Sequence, residues 1–145
     1  MNESARRSRS RESTVELLRR LGEADFDGTA AMLRADFVQE YPYTPMPDAP
    51  SRIEGRAEFI AFCEPGMTAF EPYRYTIEAI YDLIDPDVVI VEYTSHSSVL
   101  ADGAPYSNQY LGILWFDEDG LVARWREYLN PKVIDAIMPH LTGRS

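Results

Sequence analysis

A single cysteine, Cys63, and two histidines, His96 and His140, are all the thiol and imidazole groups in this 145-residue chain. That scarcity excludes an internal disulfide and every zinc cluster built on cysteine or histidine, and the carboxylates do not gather at metal-ligand spacing either. Lysine and arginine together number 14 against 24 aspartates and glutamates, a net charge of -10, so the basic stripe needed to hold phosphate backbones is missing. No apolar run approaches membrane-spanning length, and the opening segment lacks the apolar core of a signal peptide, which makes a cytoplasmic home the default expectation. Glycine-rich phosphate loops and serine-elbow motifs are absent too. The sequence therefore predicts no metal, no cofactor, no nucleic-acid partner and no membrane partner.

What the chain does have is aromatic surface. Aromatic residues make up 12%, with nine tyrosines, and tyrosine suits positions with one end apolar and the other wet, such as pocket walls and interfaces. The length fits one domain able to bury a core around a cavity. Residues 1–11, with Arg6, Arg7, Arg9 and Arg11 among serines, carry too little apolar surface to pack and read as a disordered tail, leaving residues 12–145 as the folded domain.

Apolar residues at Val15, Leu17, Leu18 and Leu21 predict a helix over Glu12 to Leu21, ended by Gly22. A second short helix is expected over Asp25 to Ala35, then a strand from Phe37 to Tyr43, and then a stiff loop set by Pro42, Pro45, Pro47 and Pro50. A third helix opens at Gly55, runs from Arg56 to Phe62 and should stop near Pro65-Gly66. Tyr73 to Tyr81 alternates as a strand, with Tyr73, Tyr75, Ile77, Ala79 and Tyr81 on one side. Val88 to Val99 is a β-branched run, Asp102-Gly103 a hairpin signal, and Lys132 to Leu141 a closing helix. Helices first and a four-strand meander afterwards predict the α+β class, an antiparallel sheet with helices on one face.

The most informative segment is Tyr106 to Pro131. Two arms rich in aromatic and aliphatic residues flank an Asp117-Glu118-Asp119-Gly120 turn, and Pro131 ends the second arm. If Phe116 faces Leu121, then Gly112 opposes Trp125, Tyr110 opposes Glu127 and Asn108 opposes Leu129 on one face. That face holds a lone acid beside a phenol and an amide, the floor of a lined pocket. The other face pairs Trp115 with Val122, Ile113 with Arg124 and Leu111 with Arg126, a surface suited to packing against another subunit. A one-residue slip would exchange the two faces.

Glu40-Tyr41-Pro42-Tyr43, the segment Arg52 to Ile60, and Asp119 through Pro131 together resemble the SnoaL-like proteins. These belong to the cone-shaped superfamily of nuclear transport factor two, ketosteroid isomerase and limonene epoxide hydrolase, and the last segment also resembles the phenazine-biosynthesis A/B proteins. The resemblance implies a curved sheet with three helices on the concave face of a cone, a short C-terminal helix, and a homodimer through the outer sheet face. It also implies an acid/base role for Glu127, which stands where the phenazine proteins carry a glutamate and the epoxide hydrolase an aspartate. This chain departs from its relatives elsewhere: Tyr41 falls where ketosteroid isomerase would place its general base, Gly112 at its oxyanion-hole acid, Thr94 and His96 near the epoxide hydrolase relay, and Phe62 near the phenazine histidine.

A glutamate walled by Trp125, Tyr110 and Leu129 would be desolvated and poised to move protons near neutral pH, unless it merely bonds a tyrosine or pairs with an arginine. The candidate catalytic residues are Glu127, His96 and Tyr110. His96 turns inward or outward according to the length of the turn at Asp102-Gly103, and Glu92 shares its face. The candidate ligand-binding residues are Trp125, Asn108, Tyr43, Tyr41, Phe62 and Met32, while His140 is expected in solvent. The expected function is binding of a small apolar, ring-containing metabolite, with cofactor-free isomerisation, cyclisation, dehydration or hydration through Glu127. The alternative is a binding or assembly module without chemistry.

Overall fold

In the computed structural model, which describes residues 1–142, the chain opens with a 20-residue helix, α1 (Glu3–Gly22). Asn2 caps it by accepting the Ala5 N–H at 2.8 Å, and Leu17, Leu18 and Leu21 form its buried stripe. The expected disordered tail is thus helical from Glu3 onward. Hydrophobic periodicity could not reveal this, because the holding partners are polar and distant in sequence. Arg6 pairs with Asp87, Arg11 with Asp82 at 2.9 Å, and buried Ser10 donates to Pro86 O at 2.9 Å.

The second helix, α2 (Phe26–Ala30), is shorter than its alanine-rich sequence suggests, because β1 (Leu33–Glu40) begins at Leu33 rather than Phe37. Leu33 is fully buried and pairs with Val122, so tertiary pairing overrides local helix propensity. After a short β2 (Arg52–Glu54), α3 (Arg56–Met67) starts behind Gly55, whose φ of 107° favours a residue without a side chain. This helix continues through Pro65 to Met67, close to the expected stop.

The remaining elements are β3 (Arg74–Asp82), β4 (Val88–Ser98), β5 (Pro105–Phe116), β6 (Val122–Leu129) and α4 (Pro131–Thr142). A register shift in β3 between Ile77 and Ala79 breaks the expected alternation. Ile80 consequently packs against the core, while Tyr81 is 46% exposed.

The six strands form one curved, unclosed sheet in the order β2-β1-β6-β5-β4-β3, and the four helices complete an α+β fold. The meander from β3 to β6 is antiparallel as expected, but β1 joins β6 in parallel and makes the sheet mixed. The β5/β6 hairpin is offset by two residues from the expected pairing, with Gly112 opposite Glu127, Leu114 opposite Trp125 and Tyr110 opposite Leu129. The even offset leaves Glu127 and Trp125 turned inward as expected, but a bulge between Trp115 and Phe116 pairs Phe116 with Val122 and turns Val122, expected on the outer face, into the core. Gly112 keeps the role of leaving room: a Cβ there would lie 2.9 Å from Trp125 Nε1, reached diagonally rather than directly across.

Candidate acid–base site

The concave face of the sheet, α3, α4 and the loop carrying Pro45 and Met46 enclose a cavity of about 150 Å³. Its floor comes from alternate residues of adjacent strands: Gln39 of β1, Trp125 and Glu127 of β6, and Tyr110 of β5. Tyr41, just beyond β1, extends the floor, Phe59, Phe62 and Cys63 of α3 form one wall, and Ile134, Ile137 and Met138 of α4 another.

Glu127 is the one acidic side chain on this lining. It is 9% exposed, and burial raises its carboxyl from the ordinary glutamate range to about 7, against a smaller opposing pull from a hydrogen bond donated by Tyr93. No arginine or lysine side chain reaches it among the described residues: Arg124 and Arg126 lie on the other face, where both bind Glu40. A lone carboxyl of this kind exists in both protonation states near neutral pH.

Around it stand phenols that hold their protons. Tyr93 stacks on Tyr110, with ring centroids 4.9 Å apart, and Tyr75 meets both edge-on at 5.6 and 6.0 Å. Burial pushes the hydroxyls of Tyr41, Tyr75, Tyr93 and Tyr110 well above the usual tyrosine value, and the Cys63 thiol also upward. They serve as hydrogen-bonding groups rather than bases. Tyr110 bonds Ser95 at 2.8 Å instead of Glu127.

The structure therefore gathers Glu127, Tyr110, Trp125, Tyr41 and Phe62 at one cavity and leaves four predicted residues out. His96 is exposed on the outer face, near Ser107. Val99 N–H donates to Ala104 O across a four-residue turn, an even count that sends Ser95 inward and His96 outward. Glu92 shares that outer face and meets the Tyr81 hydroxyl at 3.4 Å. Asn108 is buried but fully engaged, donating to Asn130 O at 3.2 Å and accepting from the Asn130 and Gln109 N–H groups, so it pins β5 to the start of α4. Tyr43 is 59% exposed, with its ring against Tyr128. Met32 packs beside the core next to β1, outside the lining. His140 is exposed, as expected, and pairs with Asp102 at 2.7 Å.

Two residues of consequence escaped the sequence reading. Tyr93 sits in the run Val88 to Val99, and the parity that turns His96 outward turns Tyr93 inward. Gln39 lies among expected strand residues, and its burial could be inferred only from its place opposite Trp125. Among the described residues, no group of three His, Cys, Asp or Glu side chains is arranged as metal ligands, and no helix is long and apolar enough to cross a membrane.

Comparison with known proteins agrees with this geometry. A crystal structure of a candidate isomerase from Bacillus subtilis superposes with a TM-score of 0.81 at 25% identity, covering 100% of this chain and 98% of that one. RV0760c from Mycobacterium tuberculosis, in complex with estradiol-17beta-hemisuccinate, gives 0.70 at 22% identity over 86% of this chain and 96% of that one. A phenazine biosynthesis-related protein from Pseudomonas aeruginosa gives 0.73 at 19% identity over 99% and 90%. Among curated sequences, the uncharacterized protein YesE of Bacillus subtilis is 29% identical over 112 residues, 77% of this chain and 75% of its own length. The SnoaL-like domain model matches residues 15–125, most of the chain, and the protein belongs to that family.

Proposed function

We propose that the cavity binds a small, largely apolar, ring-containing metabolite and that Glu127 shuttles a proton on it without a cofactor. The reaction class is isomerisation, cyclisation, dehydration or hydration. The carrying observation is a buried carboxyl, free of any cation among the described residues and poised near neutral pH, on the floor of an aromatic cavity. In its charged form Glu127 takes a proton from substrate carbon or from water, and Tyr93 O–H steadies the carboxylate. In its neutral form it returns the proton to the developing product. Tyr110 lies on the same floor, its hydroxyl bonded to Ser95 at 2.8 Å.

The test is Glu127→Gln, which keeps the shape and removes the titration. The variant should bind the same compounds and lose turnover, whereas unchanged turnover would end the proposal. A second reading, binding without chemistry, draws on the steroid ester held by a protein of the same fold. Substrate screening with the wild type and Glu127→Gln side by side separates the two. We also infer a homodimer, with a second copy on the outer face, where Leu111, Ile113 and Trp115 are only partly covered. Light scattering of the purified protein tests it, and a monomer mass at micromolar concentration would reject it.

A further inference from the structure

Charge on the outer face of the sheet is sorted from one side to the other. β5 is the middle one of the five longer strands, which run in the order β1-β6-β5-β4-β3. On one side of it stand Arg124 and Arg126 of β6, with Arg52 of β2 beyond them, gathered around Glu40 of β1. Glu54 pairs with Arg52, so this cluster holds three arginines against two glutamates. On the other side stand Glu92 of β4 and Glu78 of β3, whose side chains meet only hydroxyls, Tyr81 at 3.4 Å and Thr94 at 3.5 Å, and no cation among the described residues. Arg74 of β3 lies two outward-facing levels from Glu92, opposite His96. Between the two sides, β5 presents Leu111, Ile113 and Trp115, each half-buried. Tyr128 of β6, opposite Leu111, and Ile90 of β4, opposite Ile113, widen this apolar stripe.

A face with opposite charge on its two sides and an apolar stripe down its middle is complementary to a copy of itself. In a two-fold contact residue i meets j while j meets i. Two limiting orientations bring the face onto its copy. With the axis along β5, β5 packs on β5, β6 of one copy lies over β4 of the other, and β1 lies over β3, so the arginines stand over glutamates. With the axis across the strands, β6 lies over β6 and β4 over β4, which sets arginine against arginine and Glu92 against Glu92. Like charges brought together across an interface are penalised, so the charge pattern selects the first orientation. In it Arg126 lies one outward-facing level from the partner's Glu92, because Arg126 is level with Ile113 and Ile90, and Glu92 with Leu111. That offset is about 7 Å along the strands, a distance that an arginine side chain spans. Arg126 is also loosely held at home, since its contact with Glu40 is 3.4 Å long.

Resting on the homodimer reading, we propose that the two-fold axis runs along β5. Arg126 of each copy then pairs with Glu92 of the other, and Leu111, Ile113 and Trp115 form the apolar centre between them.

The test is charge reversal followed by mixing, read by sedimentation of the full chain. Arg126→Glu and Glu92→Arg each place two like-charged pairs in the dimer and should weaken it about tenfold or more. Equal amounts of the two variants, mixed, should form a heterodimer as tight as the wild-type dimer, because both of its contacts are then between opposite charges. Glu92→Gln removes the charge without reversing it, should weaken the dimer by a smaller factor, and carries the test if a reversed variant fails to fold. A wild-type dimer whose dissociation constant none of the three variants moves, or a mixture of folded variants that stays monomeric, would overturn the axis and leave the homodimer reading standing. Pairing of Arg126→Glu with wild type in preference to Glu92→Arg would overturn it too, by placing β6 over β6. A monomeric wild type would end both.

Discussion

The two faces of the β1, β5 and β6 strands treat carboxylates in opposite ways. On the outer face Glu40 lies beside Arg124 and Arg126, with Arg52 at 3.7 Å, and both Arg124 and Arg126 also lie over the Trp115 ring. On the inner face Glu127, one residue along β6 from Arg126, has a phenol for company and, among the described residues, no cation. A carboxylate with cations around it is held in place by ion pairs. A charge buried without one is driven toward its neutral form, and its proton becomes exchangeable near pH 7. The contrast teaches that adjacent positions on a strand, separated only by the direction of the pleat, supply structure on one side and candidate chemistry on the other.

The largest effect that could break this contrast is on turnover. Glu127→Gln should cost about 10²-fold or more of activity on any substrate found, measured as kcat, while Glu40→Gln should leave kcat unchanged to within a few-fold. Next comes stability against pH. Glu127 is neutral in the folded protein over the interval from about 4.5 to about 7, where an unfolded glutamate is already charged. The benefit of burying it neutral is therefore complete below the unfolded value and fades as pH rises through the folded one. Unfolding free energies from denaturant titration should fall across that window by up to about 3 kcal/mol in the wild type, and Glu127→Gln should flatten the fall.

Gly112→Ala sharpens the inner face by a smaller amount. The new Cβ would meet Trp125 Nε1 at 2.9 Å and Tyr93 and Val91 at 3.3 Å, so a loss of about 1–3 kcal/mol is expected in thermal unfolding. The smallest change is outside: Glu40→Gln breaks partly exposed ion pairs and should cost about 1 kcal/mol or less.

The inward placement of Glu127 was legible because strand alternation survives any even offset, even though the pairing itself moved by two residues. The side to which His96 turned was not, since it depended on a turn whose residue count no apolar pattern fixes. Tyr93 was hidden for the same reason, and with it the partner of the acid. The helical opening at Glu3 was invisible because arginines read as solvated until the acidic β3/β4 turn comes into view. Parallel pairing of β1 with β6 joins segments some ninety residues apart, beyond the reach of local periodicity.

The central claim, that the one acid facing the hollow is held near neutrality by burial, can be measured directly. Isotope-edited carboxyl NMR of the ligand-free protein, with Glu127→Gln supplying the assignment, should show this group titrating at about 7. A midpoint near the free-glutamate value of about 4.3 would contradict it.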